Sequence, residues 1–326
     1  TLGISKRLLA SRFDMQPETL SRTLRDLSEA GLLAVAGSRV TLHNARIGRY
    51  LADECFSQAI VLPEITPLSC CRSGDEPDRL SGIRVGDDGV RPTCDVINMA
   101  GRQRMLSQRM AKSWLMLERG LLSRRSRLIL RQSMNLFDSQ LAELEGRLVD
   151  SDTQSAQAEL RSLWRPYRSL LDSQPSRKGL LALFEINEEV LAAAHRLTVS
   201  FEKAEGTRQG ELVNLAGRGR MQSQRMAKLF MFQRMGIMAA RCRADLEEAH
   251  GEFSAVLELL SAVAEGTPRI AAELEKVRIQ WSRLESAMLQ GREGEFSASV
   301  RKVFTASENL LQRTDKTVDL YARMPG

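Results

Sequence analysis

Apolar residues recur at helical spacing over most of the chain, and the pattern changes near residues 53 and 95. In residues 1–52 the spacing predicts two helices across a short break, the second opened by Pro17 and ended by Gly31. Residues 32–42 are typical of two short strands that turn around Gly37. Two helices, a tight turn and a strand hairpin together predict a winged helix-turn-helix domain over residues 1–52.

Residues 53–94 contain scattered Pro and Gly without periodicity, which predicts a linker. From residue 95 onward the helical pattern is almost continuous, and it contains an internal duplication. Residues 97–112 recur 116 positions later as residues 213–228, with twelve of sixteen residues identical. We call these two segments the first and second box.

Weaker echoes of the duplication follow each box. Trp164 corresponds to Trp281, and Glu188 to Leu191 corresponds to Glu308 to Leu311. The helical pattern is predicted to break near Gly120, Ser151–Thr153, Ser173–Pro175, Gly236, Gly266–Pro268 and Gly291–Gly294. The sequence therefore predicts a mainly α protein, in which two tandem four-helix bundles, residues 95–205 and 206–326, follow the winged domain.

Composition and charge narrow the function classes. Aromatic residues make up 5% of the chain whereas Met occurs 13 times, which is typical of helix packed on helix. The formal net charge is +6, and residues 1–52 hold eight Lys and Arg against four Asp and Glu, which suits a surface that faces phosphates. No apolar run approaches the roughly 18 residues of a spanning helix. We expect a cytoplasmic protein that spans no membrane, with further residues upstream because no initiating Met is present.

The second predicted helix begins with a set of residues suited to reading bases. Glu18, Ser21 and Arg22 can all point away from the apolar face of that helix. Glu can accept a hydrogen bond from cytosine, and Arg can donate two to guanine. The alternative is an ordinary surface ion pair between Glu18 and Arg22, four residues apart.

Residues 8–33, with the run Pro17-Glu18-Thr19-Leu20-Ser21-Arg22, resemble the C-terminal DNA-binding domain of the CRP/FNR family, and the likeness covers about 50 residues. The resemblance implies base contacts by Glu18, Ser21 and Arg22. It also implies a two-fold DNA operator related to TTGAT half-sites and a homodimer. Phosphate contacts would come from Thr19, Arg39 and Lys6.

Each box places small residues beside an arginine on one helix face. Gly101, Arg104, Gln108 and Ala111 follow the spacing i, i+3, i+7, i+10, and the second box repeats it with Gly217, Arg220, Gln224 and Ala227. No Asp or Glu occurs between Val96 and Leu117 or between Leu212 and Ala244. A buried arginine needs a counter charge, so the partner must come from elsewhere.

Two sources of that counter charge stay open. Arg104 and Arg220 can clamp a small oxyanion between the two box helices, because a guanidinium donates forked hydrogen bonds. Alternatively, the arginines pair with acids on other helices, such as Glu143, Glu145, Glu188 or Glu247, or face water.

The box pattern Asn-x-Ala-Gly-x-x-Arg-Met-x-Ser-x-Arg resembles the nitrate/nitrite sensor kinases and the N-terminal, PilJ-like domain of type IV pilus chemotaxis transducers. The likeness covers about 230 residues through the duplication. It implies Arg104 and Arg220 as ligand contacts and nitrate or nitrite as the ligand. Gly101 and Gly217 would permit close helix approach, with Arg109 and Arg225 in support. This chain differs from those proteins in carrying both boxes and no apparent membrane span.

No motif suggests catalysis, and we expect no enzyme activity, no cofactor and no metal. Four cysteines in residues 53–94 lack paired spacing, and His43, His195 and His250 are interpreted as structural or surface residues. The sequence thus predicts a transcription regulator that binds double-stranded DNA and senses a small oxyanion. The alternative is a regulator whose helical region is a ligand-free interaction or oligomerisation module.

Overall fold

The computed structural model describes residues 33–36, 39–42 and 93–324, with residue 292 left out. Backbone contacts divide the chain into two units, Thr1–Gly82 and Ile83–Gly326. In the first unit, strands β1 (Leu33–Ala36) and β2 (Arg39–Leu42) pair antiparallel, with Leu33 opposite Leu42. They lie within the stretch that the sequence predicts as a hairpin. The two predicted helices before them lie outside the described residues, so the complete winged fold stays a prediction.

In the second unit, the described residues form eight α-helices that account for almost all of its length. They are α1 (Cys94–Glu118), α2 (Ser123–Glu145), α3 (Ser151–Asp172), α4 (Gly179–Glu205), α5 (Arg208–Arg234), α6 (Ala239–Val263), α7 (Pro268–Gly291) and α8 (Phe296–Ala322). The mainly α class is confirmed for this unit. The predicted break at Ser151–Thr153 is wrong in position: these residues are the first turn of α3. Asp150 accepts a hydrogen bond from the Thr153 amide as the helix cap, so the polar cluster marks a helix start.

The helices pack as two bundles, and each bundle contributes one box helix to a central pair. α1 packs against α2 and α4, and α4 packs against α3; α5 packs against α6 and α8, and α8 packs against α7. The two box helices, α1 and α5, also pack along each other. Both are therefore enclosed on most sides, and nearly every residue from Val96 to Met116 is buried. This burial places the polar residues of the boxes in the interior.

The duplication is visible in backbone and side chains alike. Leu122 and Met238, 116 positions apart, both adopt left-handed backbone angles at the start of α2 and α6, with φ of 46° and 47°. Such angles are uncommon for residues other than glycine, so their recurrence identifies one repeated connection. Aromatic stacking also repeats: Phe137 stacks on Trp164, and Phe253 packs on Trp281, at centroid distances of 4.1 and 4.5 Å.

Candidate functional site

The two box arginines meet between α1 and α5. Arg104 is 1% exposed and Arg220 is fully buried. A Cβ atom built on Gly101 would lie 3.0 Å from Nη2 of Arg104 and 3.7 Å from Nη2 of Arg220. The two Nη2 atoms are therefore no further apart than the sum of these distances. Glycine leaves room for both guanidinium groups, since an alanine methyl at residue 101 would press on Arg104.

A reciprocal pair of asparagines holds the arginines across the bundle interface. Arg104 Nη2 donates to Asn214 Oδ1 at 2.7 Å, and Arg220 Nη1 donates to Asn98 Oδ1 at 2.9 Å. Asn98 and Asn214 occupy matching places in the first and second box. Each arginine thus crosses to the opposite repeat, and the pair ties α1 to α5 from both sides.

The two arginines differ in what neutralises them. Arg220 Nη1 contacts the carboxylate of Asp315 on α8 at 2.7 Å. Arg104 Nη1 instead contacts Nδ1 of His195 on α4 at 3.2 Å, and within the described residues no carboxylate lies in ion-pair contact with Arg104. His195 and Asp315 occupy equivalent places, because both lie seven residues after the echoed glutamates Glu188 and Glu308.

Glu202 interacts with Arg104 through Asn214. Glu202 accepts a hydrogen bond from Asn214 Nδ2 at 2.6 Å, and Asn214 in turn accepts from Arg104. In the other half, Asn98 Nδ2 donates to Asp319 at 3.1 Å, so a second-neighbour acid is present in both halves. Of the carboxylates in the described part of the chain, one lies in direct contact with Arg220 and none with Arg104.

Electrostatics follow from burial and from these partners. Burial, together with neighbouring Arg220 and Arg218, lowers the pKa of Arg104 to about 9. Burial also lowers the pKa of Arg220, although Asp315 opposes the shift. Burial and the Arg104 charge lower the pKa of His195, so its ring is neutral at neutral pH and Nδ1 accepts from Arg104. Arg104 is therefore a buried cation whose direct partners are all neutral.

A second pair of clusters links each box to the far bundle. Lys112 of the first box is fully buried and contacts Glu308 on α8 at 2.7 Å, and Arg109 contacts the same carboxylate at 2.6 Å. Lys228 and Arg225 of the second box contact Glu188 on α4. Each box thus pairs with an acid from the other repeat, which joins the bundles by ion pairs as well as by packing.

The structure brings together four of the six residues predicted for the ligand site and separates two. Gly101, Arg104, Gly217 and Arg220 converge, and a Cβ on Gly217 would also lie 3.2 Å from Arg104. Arg109 and Arg225 instead lie in ion pairs with Glu308 and Glu188. The six predicted DNA contacts, Lys6, Glu18, Thr19, Ser21, Arg22 and Arg39, have no described side chains.

Sequence reasoning missed several residues of the site. The duplication repeats two of these residue types at matching places, Asn98 with Asn214 and Lys112 with Lys228. This repetition could have identified them as residues of the site. His195 was interpreted as structural or surface: it is exposed, but its ring also contacts Arg104. No motif near residue 195 points to that contact, which arises because α4 packs along α1.

These features define a class of protein: tandem helical bundles built around a duplicated basic box, preceded by a separate unit with a strand hairpin. The family model for the type IV pili methyl-accepting chemotaxis transducer N-term (PilJ) matches residues 92–184 and 204–313, more than half of the chain. The chain belongs to this family. A Crp-like helix-turn-helix domain model matches residues 1–46, which indicates a DNA-binding regulator. The resemblances to a Crp-like helix-turn-helix domain and to the PilJ domain are confirmed.

The remaining comparisons add no relative. No curated protein and no solved structure matches the chain. None of the helices in the described part of the chain is long and apolar enough to cross a membrane. Among the same residues, no cluster of three His, Cys, Asp or Glu side chains is arranged to hold a metal ion.

Proposed function

We propose that this DNA-binding regulator senses a small oxyanion, nitrate or nitrite first, where Arg104 and Arg220 meet between α1 and α5. One observation carries the proposal: Arg104 is buried beside a second buried arginine, and its direct partners are neutral. Leaving a charge in the interior without a counter charge costs several kcal/mol, so an anion at this place is strongly favoured.

The chemistry of the site suits a small planar anion. A guanidinium donates in one plane and matches the oxygens of a planar oxyanion. Nε of Arg104 and Nε of Arg220 are buried donors that have no hydrogen-bond partner among the described residues. A Cβ on Gly101 or Gly217 would lie 3.0 or 3.2 Å from Nη2 of Arg104, and this close packing favours an anion of a few atoms over a larger one.

Binding would be coupled to the packing of the box helices. An anion bound to Arg104 would shift a guanidinium whose hydrogen bond to Asn214, together with that of Arg220 to Asn98, ties α1 to α5. A change in that packing is the signal we propose. The ligand must interact differently with the two arrangements to shift the balance between them.

The output would be DNA binding, without enzyme activity. By analogy with the CRP/FNR family, the winged domain binds a two-fold operator as a homodimer in the cytoplasm. Glu18, Ser21 and Arg22 would contact bases, and Thr19, Arg39 and Lys6 would contact phosphates.

Thermal unfolding with nitrate, nitrite, chloride and sulfate tests the ligand. A ligand of the folded state raises stability by mass action, by about 2.7 kcal/mol at 100 times its Kd. Nitrate or nitrite should stabilise the wild type and fail to stabilise Arg104→Ala. Arg208→Ala, which removes an exposed surface arginine at the start of α5, is the matched control and should respond like the wild type. Equal or absent shifts in all three proteins would overturn the proposal.

A second function is favoured by the ion pairs of Arg109 and Arg225. These contacts stabilise the bundle interface without any ligand, as an interaction or oligomerisation module requires. If no oxyanion stabilises the intact protein, this second function is preferred.

A further inference from the structure

Positions 195 and 315 are equivalent in the two halves of the site, and what we infer for them rests on the proposed function. The two halves of the site hold equivalent arginines and equivalent asparagines, but α4 supplies His195 where α8 supplies Asp315. A carboxylate is the competitor most similar to an oxyanion, since both accept forked hydrogen bonds from a guanidinium. Asp315 therefore already occupies on Arg220 the place that an anion would take.

We infer that the site is one-sided: a single anion binds on Arg104, and residue 195 determines this by being histidine where the equivalent residue 315 is aspartate. Arg220 keeps Asp315 and contributes attraction through its charge. Position 195 is thus a specificity-determining residue, although no local motif identifies it.

The approach to Arg104 supports the same inference. Arg104 is 1% exposed, yet His195, which contacts its Nη1 atom, is exposed to solvent. An anion that displaces the ring from Nη1 can reach the guanidinium from that side, while Asn214 keeps its bond to Nη2. The exchange replaces a neutral acceptor at 3.2 Å by a charged one, and hydrogen bonds to charged acceptors are roughly twice as strong.

Other charged groups around the site do not remove the difference. Glu202 and Arg218 face the Arg104 half, and Asp319 and Arg102 face the Arg220 half. Each half therefore has further charges of both signs. The direct contact at residues 195 and 315 is what distinguishes them.

Nitrate titration by calorimetry on the full chain tests the inference with a matched pair at one position. His195→Asp should weaken nitrate binding about tenfold or more relative to His195→Asn, because the new carboxylate pairs with the Arg104 guanidinium in place of nitrate. Residue 195 is exposed, so both variants should fold, which circular dichroism checks. Ala182→Asp adds the same charge to an exposed place on α4 far along the helix, and it should bind like the wild type.

A double variant tests whether the carboxylate can be moved. His195→Asp with Asp315→His transfers the acid to the Arg104 half and frees Arg220, so nitrate binding should return to well above that of His195→Asp alone. If the wild type binds nitrate but His195→Asp and His195→Asn bind it with equal affinity, this inference alone is overturned. The same holds if the double variant binds nitrate no better than His195→Asp. Absence of any nitrate binding to the wild type would instead overturn the proposed function.

Discussion

The two halves of the helical region share a set of repeated contacts, but they differ in the direct partner of each box arginine. Asn98 and Asn214 bind the opposite arginines in the same way, and Glu308 and Glu188 bind the opposite lysines. At the next equivalent place on α4 and α8, histidine faces Arg104 and aspartate faces Arg220. The repeated contacts position the arginines, and the difference between His195 and Asp315 leaves the charge of buried Arg104 for another molecule to neutralise.

The largest effect is expected from breaking the buried ion pairs that the two halves share. Glu308→Gln leaves Lys112 buried without its carboxylate, which should destabilise the protein by about 3–5 kcal/mol. Glu188→Gln should have the same sign and a smaller size, because Glu188 is 17% exposed and Glu308 is 5% exposed. Urea unfolding followed by circular dichroism measures both.

The control for this pair is Glu211→Gln, which removes an exposed partner of Arg208 and should change stability by less than about 1 kcal/mol. If Glu308→Gln is as stable as this control, the ion pairs do not join the bundles.

Acid should weaken the same contacts in a defined direction. Burial alone would raise the pKa of Glu308, but Arg109 and Lys112 outweigh it and hold the pKa well below its ordinary value of 4.5. Since the unfolded chain binds protons first, the stabilisation is complete above pH 4.5 and is lost as pH falls below it. The urea midpoint of the wild type should therefore fall more steeply with acid than that of Glu308→Gln. Parallel pH dependences would contradict the ionised state of Glu308.

Gly101 allows a sharper separation of binding from stability. An alanine methyl at residue 101 would lie 3.0 Å from Nη2 of Arg104, so the guanidinium must shift. We expect nitrate affinity to fall about tenfold, the size of one misplaced charged hydrogen bond. Stability should change by less than about 1 kcal/mol, because alanine favours the helix over glycine by a similar amount.

Gly251→Ala is the matched control, since it adds the same methyl to an exposed place on α6 where no atom lies within 4 Å. It should leave nitrate affinity unchanged. Equal affinities for Gly101→Ala, Gly251→Ala and the wild type would place the anion away from Arg104.

The smallest effects are expected on DNA binding alone. They test whether residues of the N-terminal part contact bases independently of the two boxes. Arg22→Ala should cost about 1–3 kcal/mol of discrimination at one base pair. Lys6→Ala should weaken binding evenly across sequences and reduce its salt dependence by about one unit of slope. Fluorescence anisotropy with operator variants measures both. A uniform loss for Arg22→Ala would contradict its role as a base contact.

Much of the fold could be predicted because its signals are local or repeated. Helix breaks at Gly120 and Gly236 follow from glycine in the left-handed region, and the eight helices follow from periodicity and duplication. The helix break predicted at Ser151–Thr153 is misplaced because the same polar residues suit a loop and a helix start. The cap from Asp150 decides between the two.

The site could be predicted only in part. The convergence of Gly101, Arg104 and Arg220 agrees with the box pattern because small residues permit the approach of two helices. The partners Glu308, Asp315 and His195 lie 91 or more residues from the arginines that they contact. Which acid faces which arginine depends on how α4 and α8 are rotated against α1 and α5, and no local pattern encodes that rotation.

A crystal structure of the protein grown with saturating nitrate would show whether the anion binds at Arg104. We expect a planar three-oxygen anion with an oxygen about 2.9 Å from a nitrogen of Arg104, the His195 ring displaced from Nη1, and the contact between Arg220 and Asp315 retained. Nitrate bound elsewhere, or Arg104 still in contact with His195 while calorimetry reports full occupancy, would refute anion binding at Arg104.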